Sequence, residues 1–395
     1  MADNKENKVL NVPALRFPEF TDEWHKQSLG EIGETIIGLT YKPSDVVESN
    51  GTIVLRSSNI KNGVINYSDL VRVNKPIKER IITKENDILI CARNGSQRLI
   101  GKNAIIKKED ANNTFGAFMM VYRSKDNPFI LPLLSTKRYF SQVGENLGAR
   151  INQITTSDFN GFDFYFPNSH AERAKIAELF RLIDERIATQ NKIIEKLETL
   201  IKGIVELAFS HAATSNTLGC YITQISQRNK TGKDLPVLSV SNKHGFVEQS
   251  EQFEDRIIAS DDTSNYKIVD INDFAYNPAR INVGSIARLK DQECGIVSPM
   301  YICFRTSKDI LPEYLELFFK TVTFSFEVGK RLEGSVRLCL SYESLCEIVI
   351  PIISIREQQS LVKMVTTFHS KLDVEKGFLS SYQSQKQCLL SQMFI

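Results

Sequence analysis

Loops in this chain repeatedly place polar and basic side chains next to glycine and aromatic residues. Arg, Asn, Gln and Ser can hydrogen-bond base edges, and Lys and Arg bind phosphates, so such loops suit contact with DNA. The candidate contact residues in the first half are Tyr41, Lys42, Arg56, Ser58, Asn59, Lys61, Arg93, Asn94, Ser96, Gln97, Arg98, Arg150, Asn152 and Gln153. Those in the second half are Arg228, Lys230, Ser241, Asn242, Lys243, Tyr276, Asn277, Arg280, Asn282, Arg331 and Arg337. Ordinary surface loops are also polar. The prediction therefore depends on whether such residues recur at matching positions in the two halves of the chain.

An internal repeat provides that recurrence. The matched segments are 54–64 with 237–247, Asn86-Asp87 with Asn272-Asp273, Gly95-Ser96 with Gly284-Ser285, and 120–125 with 302–307. These matches occur in the same order along the chain. A repeat with so long a period predicts two similar folded units within one chain.

Two long segments carry apolar residues spaced alternately four and three apart, and they superpose after a shift of 185 positions. This heptad pattern, without proline, predicts two helices that are each roughly 50–60 Å long. The first seam contains Ile176, Phe180, Ile183, Ile187, Ile194, Leu197 and Ile204, and the second contains Leu361, Val365, Phe368, Leu372, Leu379 and Leu389. Gln190 and Glu375 share one register position, where they either fix the helix alignment or lie at a water-lined point.

These elements predict an α/β (α+β) fold with two similar mixed domains and a pseudo-two-fold repeat. We expect the long helices to pair as an antiparallel coiled coil that acts as a spacer. The predicted boundaries are 1–167 for the first domain with an N-terminal arm, 168–210 for the first helix, 211–351 for the second domain and 352–395 for the second helix. Trp24 is expected in the core, and residues 117–122 are expected to form a strand.

Composition narrows the class of protein. The net charge is only +2, so any basic surface must be local. The seven cysteines have no C-x-x-C spacing, which favours reduced thiols over disulfides or a zinc site. The polar N-terminus lacks the apolar core of a signal peptide, and no apolar run is long enough to span a bilayer. We therefore expect a soluble, cytoplasmic protein.

The sequence lacks several enzyme signatures. No phosphate-binding G-x-x-x-x-G-K-[ST] loop, dinucleotide-binding G-x-G-x-x-G motif or G-x-S-x-G nucleophile motif is present. The segment from Tyr276 to Ala279 resembles a base-methylating Asn-Pro-Pro-aromatic motif but lacks its second proline and its aromatic residue. The five histidines do not have metal-ligand spacing. These absences predict a chain that is not itself an enzyme and binds neither a metal ion nor a cofactor.

Several short motifs resemble the specificity subunits of type I restriction–modification enzymes. They are the segment from Pro167 through Glu172 to Ala177, the segment from Pro351 through Glu357 to Gln359, the pairs Leu29-Gly30 and Leu218-Gly219, and the segment Pro13–Phe20. The resemblance covers essentially the whole chain. It implies two target-recognition domains, each reading one half of a split, asymmetric site in double-stranded DNA. It also implies helices that dock two modification (methyltransferase) subunits, which bind S-adenosylmethionine, while restriction subunits add ATP- and Mg-dependent cleavage.

Two other interpretations remain open on the residues alone. The chain could be a stand-alone DNA methyltransferase or nuclease with degenerate motifs, in which case the purified chain would methylate or cleave DNA unaided. It could instead be a coiled-coil protein adaptor without a role on DNA. That alternative predicts partner binding that does not weaken steeply as the salt concentration rises, whereas DNA binding does.

Overall fold

The protein is described by a computed structural model that covers residues 11–147, 152–210, 214–242, 244–248, 263–334 and 337–395. The chain divides into two compact units. Unit 1 comprises Met1–Asn191 with Gly377–Ile395, and unit 2 comprises Lys192–Lys376. Both boundaries lie inside the long helices, whereas the predicted domain boundaries lie at the helix ends. Each unit therefore contains one globular domain and a part of both long helices.

Unit 1 is built from short strands and helices. Its strands are β1 (His25–Ser28), β2 (Glu34–Ile37), β3 (Val46–Val47), β4 (Thr52–Leu55), β5 (Ile60–Lys61), β6 (Val64–Ile65), β7 (Arg72–Val73), β8 (Ile88–Cys91), β9 (Asn103–Ile105), β10 (Thr114–Phe115), β11 (Met119–Arg123) and β12 (Asp163–Phe166). Its helices are α1 (Leu29–Ile32), α2 (Asn127–Leu133), α3 (Lys137–Leu147), α4 (Thr156–Asn160) and the beginning of α5 (His170–Ser210). Two four-stranded sheets have the orders β2-β11-β8-β9 and β10-β4-β7-β3, and β1 pairs with β12 and β5 with β6.

Unit 2 repeats this plan. Its strands are β13 (Thr214–Thr217), β14 (Ile222–Ile225), β15 (Val237–Ser241), β16 (Gly245–Glu248), β17 (Lys267–Asp270), β18 (Phe274–Tyr276), β19 (Ile286–Arg288), β20 (Cys294–Val297), β21 (Ile302–Thr306) and β22 (Val349–Ile352). Its described helices are the C-terminal part of α5, α6 (Pro312–Phe318), α7 (Val322–Arg331), α8 (Tyr342–Cys346) and most of α9 (Ile355–Met393), whose C-terminal part belongs to unit 1. The sheets have the orders β14-β21-β18-β19 and β16-β15-β20-β17, and β13 pairs with β22.

One strand pairing identifies equivalent positions in the two units. Most strand pairs are antiparallel, but β10 runs parallel to β4 in unit 1, and β20 runs parallel to β15 in unit 2. Short 3₁₀ helices connect many strands, at Pro43–Asp45, Ser57–Asn59, Glu79–Ile81, Gln97–Leu99, Lys108–Asp110, Leu218–Cys220 and Ile281–Val283. The predicted duplication of a mixed α/β fold is confirmed.

Alternation within the strands explains why each unit has two cores. In β8 every residue is buried; Ile88 and Ile90 belong to one apolar cluster, while Leu89 and Cys91 belong to another. Successive side chains of a strand point to opposite faces, so a continuous apolar run is typical of a strand covered on both sides. Trp24 lies in the first of these clusters, as predicted.

The long helices pair antiparallel within each unit. In unit 1 the ring of Phe180 stacks on that of Phe394 at 5.6 Å, and the guanidinium of Arg186 donates to the hydroxyl of Tyr382 at 2.8 Å. Residue numbers rise along α5 as they fall along α9, which defines the antiparallel direction. In unit 2 the C-terminal part of α5 and the N-terminal part of α9 share one core, which contains Leu197, Ile201, Val205, Leu361, Val365 and Leu372. The predicted pairing is confirmed.

The seam drifts toward the helix ends. Leu389 and Ile204 are half-buried, whereas the neighbouring Leu390 and Val205 are buried. A straight helix has 3.6 residues per turn, so a strict 3.5-residue repeat leaves the buried face within a few turns. Five other residues of the predicted seam are also half-buried, namely Ile183, Ile187, Ile194, Phe368 and Leu379, whereas Gln190 is buried.

In the described ranges no helix is long and apolar enough to cross a membrane.

Candidate functional site

In unit 1 the loop after β8 lies between two other predicted contact segments. The Asn94 amide nitrogen Nδ2 donates to Ser57 Oγ at 3.0 Å, and the Asn94 backbone N–H donates to the Asn152 carbonyl at 3.3 Å. The Asn152 side chain in turn donates to the Gly95 carbonyl at 3.1 Å. We call residues 57–58, 93–98, 118 and 152–153 the first loop cluster. The fold thereby brings together segments that are far apart in sequence.

Several side chains of this cluster face solvent. Ser58, Arg93, Gln97 and Arg98 are exposed, while Asn94, Ser96, Asn152 and Gln153 are half-buried. Asn152 has a positive φ of 54°, a left-handed conformation that Asn adopts more readily than most residues. The exposed groups include two guanidinium groups and a side-chain amide, which are donors suited to phosphates and to guanine or adenine edges.

An exposed aromatic ring lies in the same cluster. Phe118 is 59% exposed, and the Arg93 guanidinium lies 5.1 Å from its ring centre. Its backbone carbonyl accepts hydrogen bonds from Ala92 and Arg93, each at 3.0 Å. The predicted strand 117–122 in fact begins at Met119, so Phe118 belongs to the preceding loop. The Gly116-Ala117 pair before it was the available signal for a turn.

One predicted contact residue of unit 1 lies in the interior. Asn59 is fully buried; its Oδ1 accepts from the Arg56 N–H at 2.9 Å, and its Nδ2 donates to the carbonyls of Asn66 and Asp69 at 3.0 and 2.7 Å. Asn side chains often cap turns in this way. The structure therefore corrects the prediction for Asn59, which holds a turn together and is not on the surface.

The remaining candidates of unit 1 lie on other loops. Arg56 forms an ion pair with Asp69 at 2.7 Å, and Lys61 donates to Ser68 at 2.9 Å. Tyr41 is half-buried and Lys42 is exposed. Arg150 lies outside the described residues. Tyr41, Lys42, Arg56 and Lys61 lie outside the first loop cluster, and contact of all five candidates with DNA stays a prediction.

Unit 2 assembles an equivalent cluster around the loop after β18. The Pro278 carbonyl accepts from the Leu340 N–H at 3.1 Å, just as the Ala92 carbonyl of unit 1 accepts from the Ile154 N–H at 2.9 Å. Gly284 lies beside Asn242 at the end of β15, since a Cβ built on Gly284 would be 3.8 Å from the Asn242 Cβ. We call residues 241–242, 277–285 and 337–340 the second loop cluster.

The second loop cluster also exposes basic and amide side chains. Asn242, Arg280, Asn282 and Arg337 are exposed, and Ser241 is half-buried. Gly284 has a φ of +88°, a left-handed conformation in which a side chain would be strained. In each unit the loop after a buried strand thus meets the end of a strand of the second sheet and a segment that follows a helix, which is α3 in unit 1 and α7 in unit 2.

Two predicted contact residues of unit 2 are buried. Tyr276 is completely buried and its hydroxyl donates to the Leu340 carbonyl at 3.2 Å. Burial also holds the pKa of Tyr276 well above its usual range. Asn277 is buried, and its Oδ1 accepts from the Ala279 N–H at 3.0 Å. The structure corrects both predictions, because these groups position the loop from inside.

The other candidates of unit 2 have separate surroundings. Arg331 forms an ion pair with Glu327 within α7, and Arg228 donates to Asn265 at 3.0 Å. Lys230 is exposed, and Lys243 lies outside the described residues. Among the described residues, no group of three or more His, Cys, Asp or Glu is arranged to hold a metal ion.

Comparison with known proteins identifies relatives. A family model described as the type I restriction modification DNA specificity domain matches residues 21–199. The EcoKI specificity subunit of Escherichia coli (strain K12) is 23% identical to this chain over 94% of this chain and 88% of its own length. The StySPI specificity subunit of Salmonella potsdam is 27% identical over 49% of this chain and 43% of its own length.

Solved structures share the fold. The S subunit of a type I restriction–modification system from M. genitalium matches with a TM-score of 0.58 at 18% identity, over 97% of this chain and 99% of that one. A second structure concerns complex assembly and conformational transition of the type I R-M system; it matches with a TM-score of 0.55 at 13% identity, over 95% and 98% of the two chains. At these identities the structures support the fold alone. Residues 21–199 thus match the DNA specificity domain of type I restriction–modification systems, and the chain as a whole is similar in sequence and in fold to specificity subunits of these enzymes.

Proposed function

We propose that this chain reads a split, asymmetric sequence in double-stranded DNA, with the first loop cluster reading one half and the second loop cluster reading the other. The observation that carries this proposal is the recurrence of the same loop assembly at equivalent places of two repeated folds. In each unit, exposed Arg and amide side chains sit on a loop whose backbone is hydrogen-bonded to neighbouring segments. Rigid donors of this kind suit base readout, because little conformational freedom is lost on binding.

The proposed target-recognition domains are residues 1–167 and 211–351. Residues 168–210 and 352–395 supply the long helices, whose pairing we propose as the spacer element that sets the gap between the two halves of the DNA site. The modification subunits that we propose as partners would supply S-adenosylmethionine and the methylation chemistry. Restriction subunits in a larger complex would supply ATP- and Mg-dependent chemistry.

We propose that two modification subunits dock on the long helices, and exposed apolar residues on α5 support docking there. In unit 2, Ile193, Leu200 and Leu207 recur every seven residues along α5 and are 37%, 46% and 61% exposed. Residues seven apart share one face of a helix. The pairing seam uses a different face, with Leu197 and Ile201 buried. We call Ile193, Leu200 and Leu207 the outer stripe.

The specificity proposal is tested by mapping methylated adenines in cells that carry this chain and its modification subunits. We expect Arg93→Ala and Asn94→Ala to relax one half of the recognised sequence, and Arg280→Ala and Asn282→Ala to relax the other. Each good base contact is worth about 1–3 kcal/mol of discrimination. A map in which both halves change together after a substitution in one cluster would contradict the proposal.

The docking proposal is tested by co-purification with the modification subunits. Leu200→Arg places a charge in the outer stripe and should lower recovery of the complex, while binding of non-specific DNA by the free chain stays unchanged. Glu195→Arg is a matched control, since Glu195 is exposed on α5 away from the stripe. Equal recovery for both variants would refute docking on this face.

A further inference from the structure

The loop between β10 and β11 has a feature that polar readout does not explain. Phe118 exposes 59% of its surface beside the charged Arg93. A buried position would gain the free energy of removing its ring from water, so exposing a large aromatic side chain has a stability cost unless a partner covers it. The side chain projects from the first loop cluster, where the proposed function places DNA.

The backbone of this loop is held in place. The Ala117 N–H donates to the Leu39 carbonyl at 2.9 Å, and the Gly116 N–H donates to the Leu55 carbonyl at 3.0 Å. Gly38 packs directly against the turn, since a Cβ at Gly38 would lie 2.2 Å from the Gly116 oxygen. The backbone that carries Phe118 is therefore held in place before any partner binds.

Unit 2 has an exposed apolar side chain at the equivalent place. The loop between β20 and β21 contains Met300, which is 57% exposed. β21 pairs with β18 with Ile302 opposite Tyr276, so the residues before Ile302 lie alongside those after Tyr276, where the second loop cluster begins. The two side chains differ in type, as expected if each unit reads a different sequence.

We propose that Phe118 and Met300 are specificity-determining residues that contact the apolar surface of a base pair, one in each half of the DNA site. This inference rests on the proposed function, because it assigns the two loop clusters to DNA. Apolar side chains in the major groove pack against the methyl group of thymine, and apolar side chains of minor-groove binders insert between base steps. In unit 1 Arg93 would bind a polar edge or a phosphate next to the base that the ring contacts.

The test uses the complex of the full chain with its modification subunits and measures the Kd for three duplexes. These are the cognate site, the site with the first half scrambled, and the site with the second half scrambled. The variants are Phe118→Ala, Phe118→Leu, Met300→Ala and Phe140→Ala. Phe140 is a matched control, because it is also an exposed phenylalanine of unit 1, on α3.

We expect Phe118→Ala to weaken cognate binding about 10-fold or more and to leave the duplex with the scrambled first half unaffected. Phe118→Leu should keep most of the affinity, since it keeps an apolar contact. Met300→Ala should show the same pattern for the second half. Phe140→Ala should bind like the unaltered protein. Because no charge is removed, the salt dependence of binding should stay the same in Phe118→Ala.

Equal weakening of all three duplexes by Phe118→Ala would overturn the inference, because the ring would then act without reading sequence. Unchanged cognate binding would also overturn it. If Arg93→Ala and Asn94→Ala still relax the first half in that case, the proposed function stands and only the apolar contact fails. If those two variants also leave the first half of the recognised sequence unchanged, the proposed function is itself wrong. Thermal unfolding of each variant confirms that the comparison is made between folded proteins.

Discussion

Arg123 donates to both carboxylate oxygens of Asp87, with the Nε bond at 2.8 Å and the Nη2 bond at 2.7 Å. The same pairing recurs in unit 2, where Arg305 donates to both oxygens of Asp273. Each Asp follows an Asn with positive φ, and its carboxylate also accepts the N–H of the residue three positions earlier. The Asn-Asp and Arg matches of the internal repeat are thus structural. They connect β8 to β11 in unit 1 and β18 to β21 in unit 2.

Loss of this ion pair should destabilise unit 1 more than unit 2. Arg123→Ala leaves Asp87 charged and nearly fully buried, which costs about 3 kcal/mol. Arg305→Ala should cost less, because the Arg305 side chain is 51% exposed and the Arg123 side chain only 21%. Trp24, the single tryptophan, lies in unit 1, so its fluorescence follows unfolding of that unit. Hydrogen exchange of β18 and β21 follows unit 2. Equal losses in both units would show that burial of the carboxylate, which is 2% exposed at Asp87 and 1% at Asp273, sets the cost, and that exposure of the arginine does not.

The N-terminal arm is anchored by Glu172. Its carboxylate accepts from Arg16 at 2.6 and 2.8 Å and from the Trp24 indole N–H at 3.2 Å, and it is buried. Glu172→Gln leaves the Arg16 charge without a carboxylate partner, so we expect a loss of about 2–3 kcal/mol in the free energy of unfolding of unit 1. Glu357→Gln, 185 positions later, is the matched control, since Glu357 is exposed. Urea unfolding followed by circular dichroism, which reports on both units, measures the difference, and similar values for the two variants would rule out an anchoring role.

Adjacent residues Ser58 and Asn59 should separate recognition from stability. Asn59→Ala removes the partner of three backbone groups and should lower the stability of unit 1 by about 1–3 kcal/mol. The recognised DNA sequence, mapped from the methylated adenines, should stay unchanged. Ser58→Ala should leave the unfolding midpoint within error, because Ser58 is exposed. If the recognised sequence changes in a folded Asn59→Ala protein, the prediction that Asn59 contacts DNA would be supported again.

The C-terminal part of α5 packs into unit 2 through Phe209, whose ring lies 4.7 Å from that of Tyr314 and 5.3 Å from that of Phe318. Phe209→Ala leaves a cavity and should cost about 3–5 kcal/mol. Leu207→Ala, two positions earlier and exposed, should change stability by less than about 0.5 kcal/mol. Calorimetric unfolding distinguishes them. Similar losses would mean that Leu207 is also covered in the free protein.

Cysteine reactivity tests whether Cys91 in unit 1 and Cys303 in unit 2 are buried in the folded protein. Burial raises the pKa of Cys91 to about 11 and that of Cys303 to about 12, so both stay protonated thiols near neutral pH. Cys220 and Cys388 are exposed. Iodoacetamide at pH 8 should modify the exposed pair in the folded protein, and Cys91 and Cys303 only after denaturation. Mass spectrometry of the labelled peptides measures this, and early modification of Cys91 would contradict the buried strand β8.

Local patterns were sufficient to predict the repeat and the helices. The spacing of Ile176, Phe180 and Leu197 along α5, and of Leu361 and Leu372 along α9, predicts an apolar face. A helix with such a face is stable only when another surface covers it. The end of the seam, at Leu390 and Val205, could not be predicted, because the drift from a 3.5-residue repeat depends on how straight each helix remains.

The sequence by itself determined that the chain contains two copies of one α/β unit, each with a long helix, since repeats and heptads are properties of local residue order. Only the tertiary structure decided which polar residues reach the surface. Asn59 and Tyr276 are buried, and their polar groups are satisfied by hydrogen bonds to Asp69 and Leu340, which lie 10 and 64 residues away in sequence. Phe118 is exposed because its turn is fixed against distant strands. Burial depends on these long-range contacts, and a residue's type and neighbours do not encode them.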